Sequence, residues 1–170
     1  MARLYFFSAA TSDLTGGADF NRELLPNITT SASALSVTIA QAVTETSYGY
    51  TEPLDPGAAG SVTGDYTVSM DVTTANSNIT MSFAVARVNS SGTQQTISST
   101  STTVSFSTTG AKTLTLSGVD LGTFTSTDRL RVSYLFANAA AHSSQTFGVN
   151  QNSVNSYIST PFRVKYFLTT

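Results

Sequence analysis

The middle of the chain alternates between apolar and polar residues. From residue 66 to residue 72 every second side chain is apolar, and the same period of two returns from residue 79 to residue 85. A period of two places successive side chains on opposite faces of a β-strand. Polar and turn-forming residues at 74–78 and 89–92 end the two runs. The pattern therefore predicts two strands, each with one face directed towards a core.

Shorter runs with the same period predict further strands. They cover residues 3–7, 32–43, 94–98, 103–107, 112–117, 129–136, 146–150 and 162–168. Their spacing is typical of a β-sandwich or barrel, and the short connections leave no room for the crossover helices of a parallel sheet. In residues 32–43 the β-branched Val37, Ile39 and Val43 favour a strand over a helix. The sequence therefore predicts an all-β, antiparallel β-sandwich of jelly-roll type.

The N-terminal third has a weaker pattern than the rest of the chain. Residues 8–33 contain Gly16, Gly17 and Pro26 among many hydroxyl residues, and residues 52–57 are a strong loop signal. We interpret residues 1–60 as a strand, an extended arm and a loop that pack on or extend from a β-sandwich body at 61–170. Because the two ends of a domain often lie together, we expect the aromatic terminal strands to be neighbours.

Charge and composition exclude several partners and cofactors. Charged residues make up 11% of the 170 residues, and the formal net charge is −2. With no basic excess, neither a nucleic acid nor an anionic membrane is an expected partner. The apolar run at residues 4–7 is too short for a signal peptide or a membrane span. The sequence contains no cysteine and no calcium-loop or phosphate-loop motif, so no metal or other cofactor is predicted.

Few residues could support enzymatic chemistry. The one histidine, His142, is interpreted as a polar loop residue, because no G-x-S-x-G motif presents a serine nucleophile to it. Glu45 and Glu52 are the best local pair of carboxylates for glycoside hydrolysis, but solvated loop charge explains them more simply. No catalytic residue is predicted, and the protein is expected not to be an enzyme.

A carbohydrate site is the chemical alternative. β-Sandwiches often bind sugars on an aromatic platform with a few amides and hydroxyls, and Tyr48 and Tyr50 are the candidates for such a platform. The absence of tryptophan argues against it. The two tyrosines are equally consistent with a cover over one end of the sandwich.

The predicted outward strand faces carry Thr, Ser and Ala where a solitary domain usually carries Lys and Glu. Such faces lack the charges that keep sheets apart, and they are easy to desolvate against a neighbour, so they favour permanent contact with other subunits. A bias of composition towards hydroxyl residues is the alternative explanation. The candidate contact residues are Leu4, Tyr5, Phe6, Phe7, Arg129, Arg131, Phe162, Arg163, Lys165 and Phe167.

Five segments resemble a group of tailed-phage virion proteins. They are residues 48–57, 64–76, 87–92, 128–132 and 144–147, and the likeness spans about residues 48–162. The resemblance implies a jelly-roll-like structural component that is made in the host cytoplasm and assembled into the virion. Capsid cement or decoration proteins, neck proteins, and tail or fibre parts all occur among such components.

Among these roles we expect capsid cementing. A cement protein stabilises contacts between neighbouring capsomers, and many repeated weak contacts give it a high avidity. Its expected partners are the major capsid protein or other virion proteins and further copies of itself, with a homotrimer expected by analogy alone. A neck, tail or fibre component that binds a receptor or carbohydrate is the alternative, and an adhesin-like domain with no virion role is the third.

Overall fold

β-Strands make up most of the structure. The computed structural model describes residues 2–14, 21–28, 31–53 and 60–163, and these contain twelve strands and no helix. The strands are β1 (Ala2–Thr11), β2 (Asn21–Leu25), β3 (Ser33–Ile39), β4 (Thr44–Thr51), β5 (Gly60–Thr74), β6 (Asn76–Val88), β7 (Gln94–Ile97), β8 (Val104–Phe106), β9 (Gly110–Phe124), β10 (Arg129–Asn138), β11 (Gln145–Gln151) and β12 (Tyr157–Arg163). The predicted all-β class is confirmed.

The described strands join into one hydrogen-bonded path. Its order is β3-β11-β5-β12-β1-β2-β4-β10-β6-β7, with β8 beside β6 and β9 beside β5. The pairings are antiparallel except for β2 with β4, which are parallel. The predicted antiparallel arrangement is confirmed for the other pairings, although most paired strands, such as β3 with β11 and β4 with β10, are distant in the chain and are not joined by a short connection.

The path folds back on itself so that its two halves enclose a common core. The ring of Phe147 on β11 lies 4.9 Å from the ring of Phe136 on β10 and 5.1 Å from that of Phe106 on β8. Phe7 on β1 meets Tyr134 on β10 at 5.6 Å. Strands that lie far apart along the path thus touch through their aromatic side chains, which is the arrangement of a β-sandwich.

The alternating runs supply this core, as predicted. The inward side chains are Tyr66, Val68, Met70 and Val72 on β5 and Ile79, Met81, Phe83 and Val85 on β6, all of them buried. On the outer side, hydroxyl groups pair across neighbouring strands: Thr67 lies 2.9 Å from Thr115, and Thr38 lies 2.8 Å from Thr146. These pairs satisfy polar groups on the outer faces without using charge.

The first and last strands in the chain, β1 and β12, lie side by side. β1 pairs antiparallel with β12, which confirms the expectation for the terminal strands. β12 runs over Tyr157–Arg163 and begins five residues before the predicted start at 162. Residues 164–168 of the predicted strand lie outside the described residues. The strand predicted at 32–43 is observed as β3 and ends at Ile39. β2 and β4 were not predicted.

Candidate interaction surface

β1 presents two apolar residues to the outside. Tyr5 and Phe7 are buried in the core, whereas 40% of Leu4 is exposed and Phe6 is half-buried, because successive side chains of a strand point to opposite faces. The predicted contact segment at residues 4–7 is therefore divided: Tyr5 and Phe7 hold the sandwich together, and Leu4 and Phe6 are available on its outer face.

Neighbouring strands extend this apolar row. Phe6 is paired with Tyr157 of β12 on one side and with Leu25 of β2 on the other, and both are half-buried. Residues paired directly across strands share a face of the sheet. Leu4, Phe6, Leu25 and Tyr157 therefore form one uncharged surface, which we call the terminal-strand face.

The loop before β12 exposes a valine three residues before Tyr157. Val154 is 68% exposed, although its loop is firmly held. The Ser69 hydroxyl donates to the Asn155 carbonyl oxygen at 2.8 Å, and the Ser156 hydroxyl accepts from the Asp71 amide at 3.1 Å. A rigid loop that exposes an apolar side chain loses little conformational entropy when that side chain is covered.

The predicted contact arginines are engaged within the chain. Arg129 is 7% exposed, and its guanidinium donates to both carboxylate oxygens of Asp13 at 2.8 and 2.9 Å. Arg131 is 8% exposed and donates to Gln94 Oε1 at 2.6 Å. Both residues lie on the outer face of β10, where the segment that follows β1 covers Arg129.

Tyr48 and Tyr50, the predicted sugar-binding pair, lie beside Arg131. The Arg131 guanidinium carbon is 4.5 Å from the centre of the Tyr48 ring, and the Tyr48 and Tyr50 rings meet edge to face at 5.9 Å. Tyr50 is buried, and this burial raises the pKa of its hydroxyl above the usual value while the Arg131 charge opposes the rise. One face of the Tyr48 ring is thus occupied by a cation, and Tyr50 offers no open platform.

The other candidates are distributed as follows. Phe162 is buried, and its ring meets those of Phe124 and Tyr66 at 5.2 and 6.3 Å. Arg163 is paired with Ala2 through its backbone. Lys165 and Phe167 lie outside the described residues. That these residues contact a partner stays a prediction.

The carboxylate pair is not brought together. Glu45 lies at the start of β4 and Glu52 just past its end, so their Cα atoms are roughly 23 Å apart at the rise of an extended strand. Glycoside hydrolysis needs carboxyl groups within about 10 Å of each other. His142 is exposed in the loop between β10 and β11, as the sequence indicated.

Two members of the terminal-strand face, and the exposed Val154, escaped the sequence analysis. Leu25 belongs to a strand whose short pattern was not recognised, and Tyr157 precedes the predicted start of the last strand. Val154 lies in a polar loop. A signal for Tyr157 was present, because it alternates with Ile158 and Thr160, which are buried.

Within the described ranges, no group of three His, Cys, Asp or Glu side chains is placed to hold a metal ion. The same residues include no helix long and apolar enough to cross a membrane.

Comparisons with known proteins show a likeness of fold. The chain matches no protein-family profile and no curated protein by sequence. It superposes on two structures of a CocE/NonD family hydrolase from Staphylococcus aureus with TM-scores of 0.60 and 0.56, at 10% identity in both. These alignments cover 96% and 95% of this chain but 37% and 36% of the hydrolase chain, so this chain spans little more than a third of that enzyme.

A chain in the structure of infectious bursal disease virus Gx strain gives a TM-score of 0.43 at 10% identity, covering 95% of this chain and 38% of that one. With a TM-score this low, no conclusion about this chain is drawn from the viral structure. The hydrolase comparison shows the β fold alone, and the activity of that enzyme is not transferred to this chain.

We expect Asp13→Asn to lower the free energy of unfolding by about 1–2 kcal/mol, because it removes the charged partner of a buried guanidinium. The effect is limited because 60% of the Asp13 side chain is exposed to solvent. The hydrogen bonds from Arg129 hold the pKa of Asp13 below its usual value. The contribution is therefore complete above the ordinary carboxyl pKa and is lost as the pH falls through the lower value of the folded state.

Urea unfolding at pH 7 and at decreasing pH tests this prediction. The difference between the original chain and Asp13→Asn should shrink below about pH 4. Asp120→Asn, an exposed site on β9 whose carboxylate accepts the Gly122 amide, is the control and should change stability little. Equal stability of all three proteins at pH 7 would show that the pair does not hold the segment after β1.

Proposed function

We propose that the chain is a non-enzymatic structural component of a bacteriophage particle, a capsid cement or decoration protein that stabilises contacts between neighbouring capsomers. The phage assignment rests on the resemblance of residues 48–162 to virion proteins. Its partners are the major capsid protein and further copies of the chain, and the protein is made in the host cytoplasm and assembled into the virion. A trimer has only analogy in its favour.

One structural observation carries the proposal furthest. The outer strand faces are hydroxyl-rich, and two of the four basic residues that the sequence analysis named as contact candidates, Arg129 and Arg131, have partners within the chain. Arg129 binds Asp13 and Arg131 binds Gln94, while Arg87 donates to the Thr123 carbonyl oxygen and lies 3.6 Å from Asp128. Little charge then has to be desolvated when another protein covers the outside.

The terminal-strand face gives this surface a place of contact. Its four residues come from three neighbouring strands, and the exposed Val154 lies on the rigid loop that leads into β12. Removing apolar area of this kind from water contributes about 25 cal/mol per Å² before the entropic costs of association are subtracted. Repeated many times over a shell, a modest gain per contact becomes a strong attachment.

The alternative of a neck, tail or fibre component that binds carbohydrate has less support from this geometry. It requires an exposed aromatic platform at Tyr48 and Tyr50, but Tyr50 is buried and Arg131 lies over the Tyr48 ring. A glycan-binding assay in which Tyr48→Ala abolishes binding would reverse this preference.

Copy number in purified particles is the direct test. Quantitative mass spectrometry should find hundreds of copies in each particle. A few copies to some tens would instead indicate a neck or tail part, and absence from the particle would overturn the proposal. Particles assembled without this chain should also lose DNA at a lower temperature than complete particles, and unchanged heat survival would contradict cementing.

A substitution on the terminal-strand face should weaken attachment. Leu4→Glu places a carboxylate in a contact that has to lose its water, so we expect the purified variant to bind at least tenfold more weakly to particles that lack the chain. Its folded stability should change by no more than about 0.5 kcal/mol, because the site is exposed.

Ile97→Glu is the matched control, since Ile97 on β7 is also exposed, at 46%, but lies away from the terminal strands. Co-sedimentation with particles measures both variants. If Leu4→Glu binds as well as the original chain, or if Ile97→Glu weakens binding equally, the terminal-strand face is not the contact.

A further inference from the structure

β3 forms an open end of the strand path. All seven of its residues pair with β11 in a continuous register, from Ser33 with Gln151 to Ile39 with Gln145. Within the described part of the chain, β11 is the only strand paired with it. On its other edge, β3 therefore presents backbone N–H and C=O groups that form no strand pairing with any described strand.

Other strands at the margins of the structure carry features that discourage further pairing. β7 has four residues and β8 has three, and the pairing of each with β6 contains a register shift. β9 carries Lys112, two register shifts and positive-φ glycines at 118 and 122. Short length, charge and bulges are the devices by which natural sheets protect their edges from other chains.

β3 has none of these devices. Its sequence, Ser-Ala-Leu-Ser-Val-Thr-Ile, contains no charge, no proline and no glycine, and no register shift interrupts its pairing. Such an edge is a template for pairing with another strand. A second copy of the same chain offers such a strand, because its own β3 has the same edge left open by the described strands.

We propose that two copies associate through β3, with the two strands antiparallel about a two-fold axis at Ser36. Ser36 is the middle residue of the strand, so this register overlaps all seven residues, with the Ile39 carbonyl oxygen at one end already accepting from the Asn138 amide. It sets Leu35 opposite Val37 of the other copy and Ala34 opposite Thr38. Inward residues then meet inward residues and outward residues meet outward ones, and the half-buried Leu35 gains apolar cover.

This pairing closes on itself. An interface about a two-fold axis uses the same patch on both subunits, so the open edge of each copy is satisfied by the other and a further copy is excluded. The register brings no like charges together. The result is a dimer rather than the trimer expected by analogy.

The inference concerns this chain alone and does not depend on the virion role. If that role holds, a dimer carries two terminal-strand faces and can engage two neighbouring subunits at once. Copy number in the particle and the mass of the purified chain are separate measurements, so failure of one proposal is distinguishable from failure of the other.

A cysteine placed at the axis tests the geometry. The sequence has no cysteine, so Ser36→Cys introduces a single thiol. Cα atoms directly opposite in an antiparallel pair are about 4.5–5.5 Å apart, which lies within the range of a disulfide. We expect mild oxidation to convert most of this variant into a covalent dimer. Thr113→Cys, at an exposed hydroxyl site on β9, should remain largely uncross-linked.

Charge substitutions provide a second measurement. Sedimentation velocity of the original chain should show twice the chain mass of 17.8 kDa. Ser36→Lys and Ser36→Glu each place like charges opposite one another and should weaken association at least tenfold, whereas their equimolar mixture should restore it. Thr113→Lys is the control and should associate like the original chain. Circular dichroism verifies that each variant is folded.

Several outcomes would overturn the proposal. A monomer at several hundred micromolar or a trimeric mass would contradict the two-fold pair. Equal cross-linking at positions 36 and 113 would indicate random collision, and dimers of Ser36→Lys as tight as those of the original chain would place the interface elsewhere. If β3 binds a strand of a different virion protein instead, the purified chain stays monomeric and the inference is wrong.

Discussion

Replacing Phe147 by alanine is expected to lower the free energy of unfolding by about 3–5 kcal/mol. Phe147 is buried where the two halves of the strand path meet, and its ring contacts those of Phe106 and Phe136 at 5.1 and 4.9 Å. Truncation removes a large apolar surface and leaves a cavity that flat rings on two other strands cannot fill. Reversible denaturant unfolding followed by fluorescence and circular dichroism measures the loss.

Phe6→Ala is the matched control for this prediction. It deletes the same atoms from a half-buried side chain on the outer face of β1, and we expect it to cost about 1 kcal/mol or less. Should Phe147→Ala prove no more damaging than Phe6→Ala, the aromatic contacts between the halves would not be what holds the sandwich closed.

The strands that sequence could predict are those with a large apolar face and a polar one. β5 and β6 satisfy this condition, because their inward residues are long apolar side chains and their ends carry turn-forming residues. Hydrophobic periodicity arises because one face of a strand is buried, so it identifies such strands from a single sequence.

β4 shows why other strands were missed. Its inward positions are Ser47 and Gly49, and its aromatic residues Tyr48 and Tyr50 point to the outer face. Leu24 of β2 packs over Gly49: a Cβ atom there would come within 3.1 Å of the Leu24 side chain, which would have to shift to make room. The apolar signal is thus inverted relative to the core, and nothing local in the sequence reveals the inversion.

The positions of some candidate contact residues could likewise be predicted from the sequence, and those of others could not. The outward direction of Leu4 and Phe6 follows from alternation in β1, once it is known which set faces the core. The burial of Arg129 and Arg131 does not follow from local pattern, because β10 is covered on both faces and Asp13 is 116 residues distant from Arg129. Long-range cover of this kind depends on tertiary structure, which propensity and period do not encode.

Asn138 makes a second prediction of large effect. It is a buried residue at the end of β10, and its amide nitrogen lies 2.9–3.2 Å from the carbonyl oxygens of Ile39, Ala40 and Ser143, which share its two hydrogens. Its side-chain oxygen accepts from the Ala140 amide at 2.8 Å. One side chain thereby fixes the end of β3, the turn towards β4 and the loop towards β11.

We expect Asn138→Ala to lower the free energy of unfolding by about 2–4 kcal/mol, since it leaves several buried backbone groups without partners. Asn78→Ala removes an exposed amide that reaches Gln145 only at 3.4 Å, and should cost about 0.5 kcal/mol or less. Denaturant unfolding compares the two variants.

Hydrogen exchange separates a local effect of Asn138→Ala from a global one. Loss of the three carbonyl contacts should speed exchange in the β3–β4 turn and the β10–β11 loop more than at the centre of β5, because those segments lose their common anchor. Since the Ile39 carbonyl is the last of β3, a loosened anchor should also weaken association through that strand. Uniform acceleration over all strands would instead mean that Asn138 supports the whole sandwich and has no particular hold on β3.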